Sequence, residues 1–284
     1  MKKIVALLVA VCAAVLPLGV DAATPAETLV YAKRDTGDLR LDLYVPGHAA
    51  DKPFPVIVWV HGGAWRKGSR ASVPIQSLTE RGFAIASVDY RLSPAAKFPA
   101  QVIDIREAIE FLAANSAELN LAQDRLAIAG ASAGGHLAAL VAVSTDKTFG
   151  ETDKLKAEIK AAVSFYGASN LASILRQSTP HGLSVRVPAL DLLLGAQPEV
   201  VPDVAKEASP VFHVDSSDPP LLLLHGDQDP QMPINQAHEL QGRYQEAGLT
   251  VEFDVLHGAA HGGREFYTSK ALGRVADFLQ QHLN

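Results

Sequence analysis

Ser132 lies in the run Gly130-Ala131-Ser132-Ala133-Gly134, after the apolar stretch 125–129 and before the helix-forming stretch 135–140. A serine between small residues at a strand-to-helix turn has the local form of a nucleophile elbow. The turn is so tight that side chains two residues before and after the serine would clash, and glycine removes that clash. The following helix aims its N-terminus at the serine, which favours negative charge developing there. The chemistry this spacing suits is attack by a serine oxygen on a carbonyl carbon. That reaction also needs oxyanion donors, a general base and an acid that orients the base.

Other stretches supply residues of those types. His61-Gly62-Gly63-Ala64-Trp65 follows the apolar run 55–60. Small residues there let backbone N–H groups approach a developing oxyanion, and Gly63, Ala64 and Ala133 are the expected donors. His61 precedes the serine, whereas this arrangement places its base last in the chain, so His61 is read as a brace for the loop. His225-Gly226-Asp227-Gln228-Asp229-Pro230 follows the run 221–224. Asp227 and Asp229 both qualify as the acid. Asp229 is preferred because Pro230 suits a turn that projects inward, and Asp227 is read as bonding to its own loop backbone. His257-Gly258-Ala259-Ala260-His261-Gly262-Gly263 follows the run 251–256. His261, flanked by small residues, is the expected base, and His257, at the strand end, is the rival with a structural role. Ser132, Asp229 and His261 then stand in the chain order of this catalytic arrangement. A metal site at His257 and His261 has neither a cysteine ligand nor a helix-borne HExxH to support it, so no metal is expected.

These loops require elements to carry them. Runs 28–33 and 39–45 flank the turn cluster Asp35-Thr36-Gly37-Asp38 and read as a hairpin. Apolar runs at 55–60, 83–88, 126–129, 161–165, 221–224 and 251–256 read as buried parallel strands. Stretches 102–112 and 235–247 carry apolar residues at helical spacing. The alternation predicts an α/β chain with a mostly parallel eight-stranded sheet and helices on both faces, its site at the carboxyl ends of the strands. The Ser-, Pro- and Gly-rich stretch 168–219 holds apolar clusters at 171–175 and 190–194. It reads equally well as a cap or substrate-binding excursion and as an ordinary crossover. Trp65 and Tyr166 are pocket candidates, each equally readable as a core aromatic. In Asp89-Tyr90-Arg91-Leu92 a structural role is expected, with Arg91 paired and Asp89 capping backbone.

A chain of 284 residues with 48% hydrophobic and 20% charged side chains fits one large α/β domain with a sizeable core. The net charge of −6, without a run of basic residues, gives no reason to expect a nucleic-acid partner. Lys2-Lys3 precede an apolar stretch at 4–20 that Pro17 and Gly19 interrupt, and Val20-Asp21-Ala22 has the form of a cleavage site. Residues 1–22 therefore read as a signal peptide cut near Ala22, too short and broken for a stable membrane anchor. The remaining 23–284 is expected as the catalytic domain, exported to the periplasm or the medium. Cys12, the single cysteine, would leave with the signal peptide, so the mature chain would form no internal disulfide. Nothing in the sequence speaks to oligomeric state.

With these motifs the chain resembles α/β-hydrolase-fold carboxylesterases, most of all the secreted feruloyl-esterase-like (BD-FAE-type) bacterial group, with hormone-sensitive-lipase-like esterases as relatives. The carriers are His61 to Trp65, Asp89 to Leu92, Phe98-Pro99-Ala100-Gln101, Gly130 to Gly135, His225 to Pro233 and His257 to Gly263. The departure is Ala64, where lipase-like members usually carry a third glycine; alanine still offers its N–H. The resemblance implies a serine carboxylic-ester hydrolase with a Ser-His-Asp triad, an acyl-enzyme intermediate, a small-molecule ester substrate and no cofactor. A small-amide or formamide hydrolase on the same triad stays open, since arylformamidases have a similar loop, and so does a scaffold that has lost catalysis. The identity of the ester is not legible.

Overall fold

The computed structural model describes residues 27–47, 52–150 and 154–283. The signal-peptide reading and Cys12 lie outside the described residues. β1 (Glu27–Arg34) and β2 (Gly37–Tyr44) form the expected antiparallel hairpin, with Gly37 at φ +118° in its turn. They are followed by β3 (Phe54–Val60), β4 (Ala84–Val88), α1 (Ala100–Ala114), β5 (Leu121–Ala131), α2 (Ala133–Ala142) and β6 (Ile159–Phe165). Beyond these come α3 (Ile174–Gln177), α4 (Pro180–Leu194), α5 (Pro202–Glu207), β7 (Leu221–Gly226), α6 (Asn235–Glu246), β8 (Val251–Leu256) and α7 (Ser269–Leu283).

The strands form one eight-stranded sheet in the order β1-β2-β4-β3-β5-β6-β7-β8. β1 and β2 run antiparallel to each other and β2 to β4; every pairing from β4 to β8 is parallel. The carboxyl ends of β3, β5, β6, β7 and β8 therefore open on a single edge, which is where open α/β sheets bind ligands. Successive side chains of a strand face opposite ways, and β3 shows it. Val56, Val58 and Val60 join a core with residues of α1, α2 and α6, while Ile57 and Trp59 join a second core with α7. Both faces are thus covered, and near-continuous apolar strands follow from that.

Some elements exceed the sequence expectation. β5 begins at Leu121 rather than near 126, because exposed Gln123 and Asp124 sit in an extended segment at the sheet's rim, ahead of a register shift at Leu126. α7, absent from the sequence reading, buries Leu272, Val275, Phe278, Leu279 and Leu283, a helical spacing that was there to be read. The stretch 168–219 holds α3, α4 and α5. Its residues Leu171, Ile174, Leu190 and Leu193 are buried in the main core. Thr179 caps α4, its hydroxyl accepting from the Gly182 N–H at 3.0 Å, and Gly195 ends it at φ +90°. The Phe98 N–H donates to the Leu193 carbonyl at 2.8 Å, fastening α4 to the body.

Candidate active site

Ser132 joins β5 to α2 with φ +56° and ψ −117°, a backbone conformation that costs a non-glycine residue of order 1–3 kcal/mol. The surroundings impose it. The Ser132 N–H donates to the Phe165 carbonyl at 2.8 Å, and the His136 N–H donates to the Ser132 carbonyl at 3.0 Å. A Cβ on Gly130 would lie 2.3 Å from the Gly134 carbonyl oxygen, and one on Gly134 would lie 2.0 Å from that of Val60. Both glycines of the motif are therefore required by close backbone approach, the second against β3.

Three loops at the sheet's carboxyl edge bring Ser132, His261 and Asp229 together. His261 Nε2 stands 2.9 Å from Ser132 Oγ, and His261 Nδ1 stands 2.6 Å from Asp229 Oδ2. Asp229 Oδ1 accepts from the Gln231 and Met232 N–H groups at 2.8 and 2.7 Å, which fixes the carboxylate plane. The Asp229 side chain is fully buried. Burial by itself would raise its pKa; the hydrogen bonds from His225 and His261 and from the Met232 N–H outweigh that and hold it well below the usual carboxylate range. His225, which the sequence reading left without a role, sits 3.5 Å from Asp229 Oδ2 and donates to the Met232 carbonyl at 3.0 Å.

The rivals pair with each other. His257 Nδ1 lies 2.8 Å from Asp227 Oδ2, and Asp227 Oδ1 accepts from the Gly258 N–H at 2.7 Å. His257 is 85% exposed there, away from the serine. The sequence predicts bonds from Asp227 to its own loop backbone; in the structure it braces the neighbouring loop at His257 and Gly258. His61 is buried, its Nδ1–H donating to the Gly62 carbonyl at 2.7 Å and its ring stacked on Tyr90 at 4.4 Å. Burial lowers its pKa, and its contacts are those of a brace. Arg91 pairs with Asp104 at 2.8 Å, and Asp89 accepts from the Arg70 N–H at 2.9 Å, so this segment ties elements together.

Gly63, Ala64 and Trp65 all adopt positive φ, at +119°, +52° and +59°. For Ala64 that is the strain a glycine would avoid. The N–H groups of Gly63, Ala64 and Ala133 donate to no acceptor among the described residues. Trp65 is buried, and its Nε1–H donates to His136 Nδ1 at 3.0 Å while His136 Nε2–H donates to the Ala208 carbonyl at 2.6 Å. One neutral tautomer satisfies both bonds, and burial pushes His136 down to about 4, so it is neutral at neutral pH. His136 had no role in the sequence reading; its place one turn into α2 was the available signal.

A cavity of about 490 Å³ opens over the serine, lined by Gly62, Gly63, Ala64, Ser132, Tyr166, Gln231, His261 and Tyr267 among others. Tyr166 stands edge-on to the His261 ring at 4.8 Å and hydrogen-bonds Tyr267; burial pushes its hydroxyl up to about 12. Trp65 lines instead a void of about 10 Å³ between Ser132 and α4, with Ala64, Ala133, Val185, Arg186 and Met232. Arg186 is buried and has no carboxylate partner among the described residues; its contacts are the Gly182 carbonyl at 3.3 Å and Met232 Sδ at 3.2 Å. Burial lowers its pKa to about 10. Val185 and Arg186 were missed by sequence reasoning because only the packing of α4 brings them to the serine, and Gln231 was missed although it lies in the same loop as Asp229.

Residues 41–244 match the BD-FAE family model. Esterase LipC of Mycobacterium tuberculosis is 30% identical over 233 residues, a match covering 78% of this chain and 56% of LipC. The chain thus spans about half the length of the curated relatives it matches. A truncated carbohydrate esterase from gut microbiota superposes with a TM-score of 0.79 at 26% identity, covering 91% of this chain and 97% of that one. A propionate-bound thermophilic esterase of Thermogutta terrifontis superposes with a TM-score of 0.75 at 26% identity, covering 92% and 95%. The architecture is the α/β-hydrolase fold of these esterases.

Proposed function

Because the chain belongs to the BD-FAE family, we infer that it is a carboxylic-ester hydrolase acting through Ser132, His261 and Asp229. The observation that carries this reading is the hydrogen-bonded line from Ser132 Oγ through His261 to Asp229, at 2.9 and 2.6 Å. Ser132 Oγ attacks the ester carbonyl while His261 Nε2 takes its proton. Asp229 holds Nδ1–H and stabilises the imidazolium that forms. The unpaired N–H groups of Gly63, Ala64 and Ala133 receive the oxyanion. The C–O bond then breaks, His261 returns the proton to the leaving alcohol, and an acyl-enzyme remains. Water attacks this ester with His261 as base, freeing the acid and Ser132.

Proton delivery also assigns the two sides of the site. The alcohol leaves with a proton from His261, so it occupies the large cavity that His261 lines. The acyl group extends towards the void beside Ala64 and Ala133, which His261 does not line. A space of about 10 Å³ holds roughly one heavy group, which favours a short acyl chain. The test is a series of aryl esters of increasing acyl length beside a matched aryl amide. Acetate or propionate is expected to be cleaved best, with the amide far slower; a preference for long chains would refute the assignment of sides. A fluorophosphonate probe is expected to label the wild-type protein and not Ser132→Ala. Residues 1–22 are proposed as an export signal, for which mass spectrometry of the mature protein should give an N-terminus after Ala22.

A further inference from the structure

We propose that the leaving-group side of this site selects esters whose alcohol portion carries an anion, held by Arg66 and Lys67. The inference rests on the esterase reading above and names its substrate class. Acids outnumber bases in the chain, 31 to 25, yet the large cavity is lined by Arg66 and Lys67 and by no aspartate or glutamate. Neither side chain forms an ion pair among the described residues, whereas neighbouring Arg70 is held by Asp42 and Asp89 at 2.9 and 2.7 Å.

The loop fixes where these cations stand. The Arg66 and Lys67 N–H groups both donate to the Gly63 carbonyl at 3.2 Å, which turns the chain sharply after the oxyanion loop. The Lys67 stem crosses Gly63, where an added Cβ would lie 3.2 Å from its Cγ. The strained Ala64 and Trp65 backbone therefore sets the two cations at the mouth that His261 lines. Ser72, Gln231 and Tyr267 give the same wall further hydrogen-bonding groups, suited to a polar alcohol. Buried Arg186, on the acyl side, adds a positive potential of the same sign. The Asp229 charge is felt by Arg186 and Tyr166 and partly offsets the Arg186 potential, but Asp229 is buried behind His261 and absent from the lining, so Arg66 and Lys67 remain the charged groups that face the cavity. A carboxylate on the alcohol portion would be drawn in and bound by charge-assisted hydrogen bonds.

The test compares para-acetoxybenzoate with para-acetoxybenzamide, which share the acyl group and nearly the same shape and differ in the charge of the leaving group. The ratio of their kcat/KM values is measured for the wild-type protein and for Arg66→Gln/Lys67→Gln, at low and high salt. The double substitution is expected to lower the acid-to-amide ratio about tenfold, the order of a charge-assisted hydrogen bond. Salt is expected to lower the wild-type ratio and to leave that of the variant nearly unmoved. A substitution that merely disturbed the loop would slow both esters alike and leave the ratio unchanged; with both esters cleaved, that result overturns the proposal. Failure of the wild-type protein to cleave either ester would refute the esterase reading itself, and this inference with it.

Discussion

At the scale of single residues, two Asp–His pairs lie side by side at the same sheet edge, and geometry separates them. Asp229 is buried and meets His261, which meets the serine; Asp227 and His257 meet each other in solvent. Asp229→Asn would leave the shape nearly intact but favour the wrong histidine tautomer, and kcat is expected to fall about 10⁴-fold. Asp227→Asn, which breaks an exposed pair, should stay within a few-fold of the wild type. Parallel kinetics on both variants checks the assignment, and it fails if Asp227→Asn is the more damaging. Ser132→Ala should lose on the order of 10⁵- to 10⁶-fold in kcat, because the triad acts as a unit. Active-site titration with the fluorophosphonate separates this residue from a contaminating hydrolase.

At the scale of elements, α2 does more than aim its N-terminus. Through His136 it holds the Trp65 indole, and through Trp65 the strained loop that carries Gly63 and Ala64. The same histidine reaches the Ala208 carbonyl at the end of α5. His136→Phe would strip both groups of their partner, at about 1–3 kcal/mol each. The expected result is a lower melting temperature together with a kcat loss larger than any rise in KM, since on the proposed mechanism the loop serves the oxyanion rather than the ground-state ester. A change confined to KM would contradict this. α4 has a similar double part: its apolar face lies in the core, Arg186 lines the small void beside Ser132, and Val185 lines both that void and the large cavity.

At the scale of the whole molecule, one buried carboxyl makes stability depend on pH. Asp218 lies ahead of β7, accepting from the Asp215 N–H at 2.9 Å. Burial pushes its pKa up to about 7, with the charges of Asp215 and Asp146 adding to that and Lys147 opposing it. An unfolded aspartate titrates at about 3.9. The folded state therefore binds the proton more tightly, and this stabilisation, full below about pH 4, is lost as pH rises towards 7. Asp218→Asn keeps an acceptor for the Asp215 N–H without the charge. It is expected to raise the melting temperature by a few degrees near pH 8 and to change it little near pH 4. Equal effects at both pH values would remove Asp218 as the cause.

The apolar runs, the order of the three catalytic-type residues and the glycines around Ser132 were legible in the sequence, because strand burial, chain order and close backbone approach each demand a local residue type. The alternation of strands and helices gave a mostly parallel sheet with its site at the carboxyl ends, whereas the order of the strands was not legible. What lies between partners distant in the chain was not legible. That Asp227 faces His257, that Trp65 turns inward to His136, that 168–219 packs on the core while lending Arg186 to the site, and that α7 closes the second face are outcomes of tertiary packing. Such contacts depend on which surfaces meet, and several side chains in one loop satisfy the same local rules. The sequence by itself determined the residue types available around Ser132; only the folded chain decided which acid and which histidine reach it and which charges line the cavity beside it, because those contacts join segments distant in the chain.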